Sequence, residues 1–402
     1  MKKFLLPAFM LAALLLSFLP FHRVDATNQA QTATTRPPAD PIRIGGEFAL
    51  TGDGAALDVE AANGAQLALK EINAAGGLLG RPVELIIRDS QTRQDRAAHI
   101  AQQFVDEKQV TAVIGFSDTD PVLAAGPILQ AAGIPFLSVG ATSPRLPEEI
   151  GDRMFLACFG DNVQAAAGAE YAFTQFGGSA ALLWDEGTEF TRLLAEYFKS
   201  AFQALDGRLV LEETFKEGTT DFKPLAARIK SLPQPPDFIY VAAMPYNAGL
   251  VVKAIREAGF TIPVMGGDSF DAPEFLTMAG PVADNIHFTT HASMNPAHAQ
   301  DVMGRFETAY RELHGRDPAN AFAALGYDAL NLVADAIRRA GSAQSVDIKR
   351  ALEQTKDFPG ITGAITFTAK SHVPLKSVTI ITVRNGQFTS AEQVTPRHVP
   401  GP

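Results

Sequence analysis

An α/β protein of two doubly wound parallel sheets is the fold class this chain predicts, and three observations predict it. From Ile42 to Pro144 short apolar runs alternate with helical stripes, and the runs close in small, polar or glycine-containing turns. That is the pattern of strand, loop and crossover helix. The same alternation resumes from Ala180 to Gly266. The composition supplies a core for both halves: 46% of the 402 residues are apolar and 19% charged, which excludes wholesale disorder.

In chain order, Lys2 and Lys3 precede an apolar run from Phe4 to Pro20, and Val24-Asp25-Ala26 places small residues at a cleavage site. This reads as a secretory signal over 1–26, cut after Ala26. An uncleaved anchor is the alternative, disfavoured by Pro7, Pro20 and a span short of the ~20 residues a membrane helix needs. Residues 27–40, rich in Thr, Gln, Ala and Pro, read as a flexible tether. Ile42–Phe48 is the first strand, followed by the loop Leu50-Thr51-Gly52-Asp53-Gly54. A helix from about Val59 carries the apolar stripe Ala65, Ala68, Leu69 and Ile72 and ends at Gly76-Gly77. Strand Val83–Asp89, helix Ala97–Glu107 and strand Thr111–Phe116 follow. Asp120 reads as the N-cap, and Pro121 as the first residue, of a helix to Ala132.

Ile134 to Pro144 anchors the first unit. An apolar run reaches Val139 and passes into Gly140, Ala141, Thr142 and Ser143. Open α/β sheets bind ligands outside the carboxyl ends of their strands. Small side chains there expose backbone N–H groups, and hydroxyls donate to an anion. An ordinary strand-to-helix connection is the plain alternative.

The second unit has strands at Ala180–Asp185, Leu209–Thr214, Asp237–Ala243 and Ile262–Gly266. Its helices lie at Thr191–Leu205, Lys223–Ser231, Tyr246–Gly259 and Pro273–Ala279. Glu189 and Phe190 follow the first of those strands and would rim a cleft. Helices near Ala297–Leu313, Ala319–Ala340 and Val346–Thr355 come next, then strands Ala364–Thr368 and Ser377–Val383 and a tail over 395–402.

Several function classes are excluded or unsupported. A net charge of −10 without basic runs argues against nucleic acid. Cys158, the single cysteine, forms no internal disulfide, and no cysteine follows the signal to carry a lipid anchor. His287 and His291, four apart on a strand, would stand about 13 Å apart, so with His298 they suggest no metal site. Gly76–Gly80 lacks the Lys-Ser/Thr of a phosphate loop, and no Gly-x-Ser-x-Gly elbow occurs. No catalytic constellation, cofactor or metal is expected.

The order of motifs resembles the periplasmic Leu/Ile/Val-binding protein family, the solute receptors of branched-chain amino acid ABC transporters. The resemblance runs from about Pro41 to Gln387. It rests on Leu50-Thr51-Gly52, Gly64 with Ala68, Glu71-Ile72-Asn73-Ala74-Ala75-Gly76-Gly77 and Gly80-Arg81-Pro82-Val83-Glu84-Leu85. Asp89, Val113-Ile114-Gly115, Gly140-Ala141-Thr142, Asp221-Phe222, the Asp237 strand, Gly326-Tyr327-Asp328-Ala329 and Gly363 complete it.

The resemblance implies a type I periplasmic binding protein fold, two lobes joined by three crossover strands near Leu156–Phe159, His287–Thr290 and Phe367–Lys370. Lobe 1 would comprise 41–157 plus 288–367, and lobe 2 158–287 plus 368–394. It also implies that Thr119 and the Gly140–Thr142 turn hold a ligand α-carboxylate, that Asp268 pairs with an α-ammonium, and that Leu57 forms pocket wall. Met244 stands at the far-lobe aromatic position, with Tyr246 two residues on. Asp118 and Asp120 put negative charge near the supposed carboxylate site.

The expected function is an extracytoplasmic, periplasmic solute-binding protein of an ABC importer, with the inner-membrane permease as partner and the monomer as the family's state. Its ligand would be an amino acid, closed between the lobes by a hinge. The alternatives are an aromatic or other small carboxylate, amide or urea ligand, and a ligand-sensing domain presenting to a membrane sensor.

Overall fold

The computed structural model describes residues 40–107, 110–216, 218–294 and 301–402. The signal, the tether up to residue 39 and His298 lie outside them. The first sheet is built from β1 (Ile42–Phe48), β2 (Val83–Asp89), β3 (Ala112–Gly115), β4 (Phe136–Ser138) and β5 (Met154–Leu156), in the order β2-β1-β3-β4-β5. All its pairings are parallel. Its helices are α1 (Ala55–Ala74), α2 (Gln94–Asp106), α3 (Thr119–Ala131) and the short α4 (Leu146–Ile150). Strands such as β3 are buried throughout, as parallel strands covered on both faces must be.

The chain then passes to a second, seven-stranded sheet. Its helices are α5 (Asp161–Gln175), α6 (Glu189–Ala204), α7 (Lys223–Lys230), α8 (Pro245–Glu257) and α9 (Pro273–Ala279). Its first strands are β6 (Ser179–Asp185), β7 (Arg208–Phe215), β8 (Phe238–Ala242), β9 (Val264–Gly266) and β10 (Ile286–Thr290). After β10 the chain returns as α10 (Val302–His314), α11 (Phe322–Ala340) and α12 (Ser345–Glu353), and residues of α11 and α12 complete the core of the first sheet. A small antiparallel pair, β11 (Phe358–Gly360) and β12 (Gly363–Ile365), follows. A third passage leads to β13 (Val378–Arg384) and β14 (Gln387–Val394).

The second sheet runs β14-β13-β10-β9-β8-β6-β7. Its β6–β10 pairings are parallel, but β13 and β14 add an antiparallel edge. The hairpin turns at Asn385-Gly386, both at positive φ, the two-residue turn whose twist matches paired strands. The sequence reading passes over β14 because its residues are mostly polar. It also passes over α5, whose alanine-rich face is buried nearly all round, leaving no amphipathic stripe.

One close approach fixes how the returning helix sits. A Cβ on Gly64 of α1 would fall 1.8 Å from the Ala323 carbonyl oxygen, and one on Gly326 of α11 1.9 Å from that of Ala61. Only glycines let the two backbones meet at this distance.

Candidate functional site

The carboxyl ends of the two sheets converge. Ser117 follows β3, Gly140 follows β4, Leu57 lies in the first turn of α1 and Phe322 opens α11. From the second sheet, Phe190 lies in the first turn of α6, Met244 precedes α8, and Asp268 and Ser269 follow β9. Together these enclose an inner cavity of about 10 Å³. That is room for roughly one water, so a solute enters only if the sheets part or side chains such as Met244 move. Met244 is also the wall of an outer cavity of about 320 Å³, shared with Asp118, Asp120, Asp185, Tyr246 and Asn247.

The inner wall is held by hydrogen bonds. Gly140 and Ala141 N–H both donate to the Phe116 carbonyl (3.1 and 3.0 Å), and Ala141 N–H also donates to Ser138 Oγ (2.9 Å). The Gly140 and Ala141 amides, in the turn expected to hold a carboxylate, are thus engaged within the first sheet. A Cβ on Gly140 would stand 2.5 Å from the Phe322 ring, so this position admits only glycine while Phe322 stays in place.

Carboxylates dominate the surroundings. Asp58 accepts from Ala49 N–H (2.7 Å) and from the Ser117 hydroxyl, and burial pushes it up to about 7. Asp161, fully buried, is raised to about 8 by burial and by Asp268. The Thr142 hydroxyl lies beside it and lowers it somewhat, short of a well-formed hydrogen bond. Asp118 is raised to about 7 by burial and then by Asp120.

Asp268 is 2% exposed. Gln164 Nε2 donates to its Oδ1 (3.0 Å), and His291 Nε2 lies 2.9 Å from its Oδ2. His291 stacks on Phe159 (3.9 Å between centroids), and burial holds its pKa below the usual histidine range. Gln164 Oε1 in turn accepts from Thr289 Oγ1 (2.7 Å) and Asp268 N–H (3.2 Å). A carboxylate offers about four acceptor positions, so Asp268 keeps capacity for a further donor.

Of the residues expected at the site, Leu57, Gly140, Phe190, Met244 and Asp268 line the inner cavity, and Tyr246 lines the outer one. Thr119, Ala141 and Thr142 are buried without lining either. Thr119 Oγ1 is sealed from solvent with no hydrogen-bond partner. Glu189 lines neither cavity; its carboxylate pairs with Arg192.

Asp120 is not the N-cap. Asp118 occupies that position, and Asp120 sits in the first turn of α3. There its Oδ1 accepts from Gln94 (3.0 Å) and its Oδ2 from Glu189 N–H (2.9 Å), at the start of α6. One donor comes from a neighbouring helix of its own sheet and the other from a helix of the opposite sheet, neither from α3 itself. Ser117, Ser269, Phe322, Gln164 and His291 escape the sequence reading. Ser117, the first hydroxyl after β3, carried a usable signal. Phe322 and Gln164 arrive through tertiary contact alone.

Two parallel-sheet units joined by three passages, with cavities between their strand ends, define a two-lobed solute-binding protein. The chain belongs to the periplasmic binding protein family, whose model matches residues 41–387. It is 25% identical over 331 residues to the Leu/Ile/Val-binding protein homolog 1 of Brucella suis, covering 82% of this chain and 86% of that one. It is 26% identical over 352 residues to the Leu/Ile/Val-binding protein BraC3 of Rhizobium johnstonii, covering 87% and 94%. The branched-chain amino acid transporter substrate-binding protein LivJ of Streptococcus pneumoniae, solved in complex with isoleucine, superposes with a TM-score of 0.83 at 32% identity. That match covers 89% of this chain and all (100%) of LivJ. No helix among the described residues is long and apolar enough to cross a membrane.

Proposed function

We propose that this protein is the periplasmic receptor of an ABC importer, exported by a signal cleaved after Ala26, that encloses a small amino-acid-like solute by hinge closure and delivers it to an inner-membrane permease. Lobe 1 comprises 41–157 with 288–367, and lobe 2 comprises 158–287 with 368–394. The observation that carries the reading is the inner cavity, walled by Leu57, Ser117, Gly140 and Phe322 on one side and by Phe190, Met244, Asp268 and Ser269 on the other. A site assembled from both sheets is complete only when they approach, which couples binding to closure. The resemblance in sequence and fold to Leu/Ile/Val-binding proteins and to LivJ supports an amino-acid ligand. Asp268, with unused acceptor capacity at the cavity wall, is the group to meet an α-ammonium.

The test is thermal unfolding of the chain after denaturation and refolding to strip carried-over ligand, against a panel of amino acids, small carboxylates, amides and urea. A ligand at 100 times its dissociation constant stabilises by about 2.7 kcal/mol. A shift with at least one amino acid is expected. A shift only with non-amino carboxylates or amides would replace the ligand class. No shift with any of them would overturn the reading.

A further inference from the structure

The outer cavity has a chemistry that the inner one does not explain. Four aspartates line it, Asp53, Asp118, Asp120 and Asp185, and among the described residues no lysine, arginine or histidine does. Three of the four are engaged or exposed. Asp185 accepts from Gly187 N–H (2.8 Å) and Asn247 Nδ2 (3.3 Å), Asp120 accepts from Gln94 and Glu189 N–H, and Asp53 faces solvent. Asp118 differs. Its Oδ1 is sealed from solvent without a hydrogen-bond partner, and Asp118 lines both the outer cavity and a narrow cleft running from it past Met244 to Leu57.

A buried carboxylate oxygen with no donor is costly unless a donor is supplied, and Asp118 Oδ1 has none among the described residues, although the Thr119 and Asp120 backbone N–H groups lie near enough to favour the charged form of the group. Asp58, in the same cleft, adds a second carboxylate. At the inner end, the Ser117 hydroxyl donates to Asp58. An anion in the outer cavity would therefore meet carboxylates on several sides, whereas a cation would meet an unpaired acceptor. Tyr246, half exposed at the open side of the cavity, adds an aromatic ring, the other group that organic cations seek. Met244 offers apolar surface between the two cavities. A volume of about 320 Å³ bounded by sulfur and an aromatic ring suits a carbon chain ending in an ammonium.

We infer that the solute carries a second, cationic group, which lies in the outer cavity and donates to Asp118: a basic amino acid or a diamine rather than an aliphatic amino acid. This rests on the proposed role as a solute receptor, and it names the ligand class of that same site.

The experiment is isothermal titration calorimetry on the ligand-stripped full chain with L-lysine, putrescine, L-norleucine, L-leucine and L-glutamate, repeated on Asp118→Asn. Lysine or putrescine is expected to bind at least tenfold more tightly than norleucine, with glutamate weakest. Asp118→Asn is expected to shrink the lysine-to-norleucine ratio, or putrescine binding itself, at least tenfold. Circular dichroism and thermal unfolding of the variant separate this from misfolding, and Asp118→Glu should restore part of the preference. Binding by putrescine as well as lysine supports the inference and shows that no carboxylate is needed. Leucine or norleucine binding as tightly as lysine would overturn the inference while leaving the receptor reading intact. So would a preference for lysine untouched by Asp118→Asn. Failure of all five ligands to bind would overturn the inference, and only a wider thermal panel without a shift would overturn the receptor reading as well.

Discussion

Asp268 sits where one side chain decides what the inner cavity recognises. Gln164 and His291 fix both its oxygens, so it presents its remaining acceptor positions in one orientation. Charge-assisted hydrogen bonds contribute about 1.5–3 kcal/mol. Asp268→Asn should therefore weaken an amino-acid ligand about 10- to 100-fold by calorimetry, and unchanged affinity would place the ammonium elsewhere. Gly140 makes a second prediction. The methyl of Gly140→Ala would press on the Phe322 ring at 2.5 Å, an overpacking that costs about 1–3 kcal/mol in thermal unfolding, and Phe322→Leu in the same chain should recover part of it. Both residues were legible in the sequence because each follows a strand in a small-residue turn. Their partners were not. Gln164 belongs to a helix without an amphipathic stripe, Phe322 comes from a helix far along the chain, and His291 looked like one member of a scattered histidine set.

At the scale of elements, closure depends on the first turn of α3 meeting the first turn of α6. Asp120 accepts the Glu189 N–H, so a carboxylate from one unit satisfies a helix N-terminus of the other, where negative charge is favourable. Loss of an N-cap acceptor costs about 0.5–2 kcal/mol. Falling on the closed form, that loss in Asp120→Ala should weaken ligand binding by roughly two- to thirtyfold and leave the unfolding temperature of the ligand-free chain little changed. An equal loss of ligand-free stability would assign Asp120 to the fold instead. The α1–α11 contact makes the opposite prediction. Gly326→Ala drives a methyl into the Ala61 backbone and should destabilise the ligand-free chain toward the upper end of about 1–3 kcal/mol.

Elements with a clear apolar period were readable, to within a few residues for α1, α6 and α9. The misses share a cause in burial or its absence. α5 is apolar on almost every side, so no stripe marks it, and β14 is an edge strand with little apolar content. The Asn385-Gly386 turn was the one local sign of β14. Asp120 was misread as a cap because its real partner is brought by a different sheet.

The whole molecule concentrates buried acid near the junction of its two sheets. Asp58, Asp118 and Asp271 are raised to about 7 and Asp161 to about 8, chiefly by burial, and Glu47 is raised well above its usual value by the same cause. In the unfolded chain such groups ionise near 4. Above that pH the folded state binds more protons than the unfolded one, so stability falls as pH rises through the folded values. His287, lowered to about 4 by burial, gives the opposite slope, but only up to about pH 6.5, where the unfolded histidine loses its proton. The ligand-free chain should therefore unfold at a lower temperature at about pH 8.5 than at about pH 6.5. A flat or rising profile over that interval would contradict the assignment of these carboxylates as holding protons to higher pH in the ligand-free fold than in the unfolded chain.

The central claim is that two α/β units close on a solute. Small-angle X-ray scattering of the ligand-stripped chain, alone and saturated with the tightest ligand from the thermal screen, tests it most directly. Closure should give the saturated chain a smaller radius of gyration, with the contraction of the bound state diminished in Asp120→Ala. Tight binding with identical scattering curves before and after saturation would contradict closure and leave a rigid binding domain in its place.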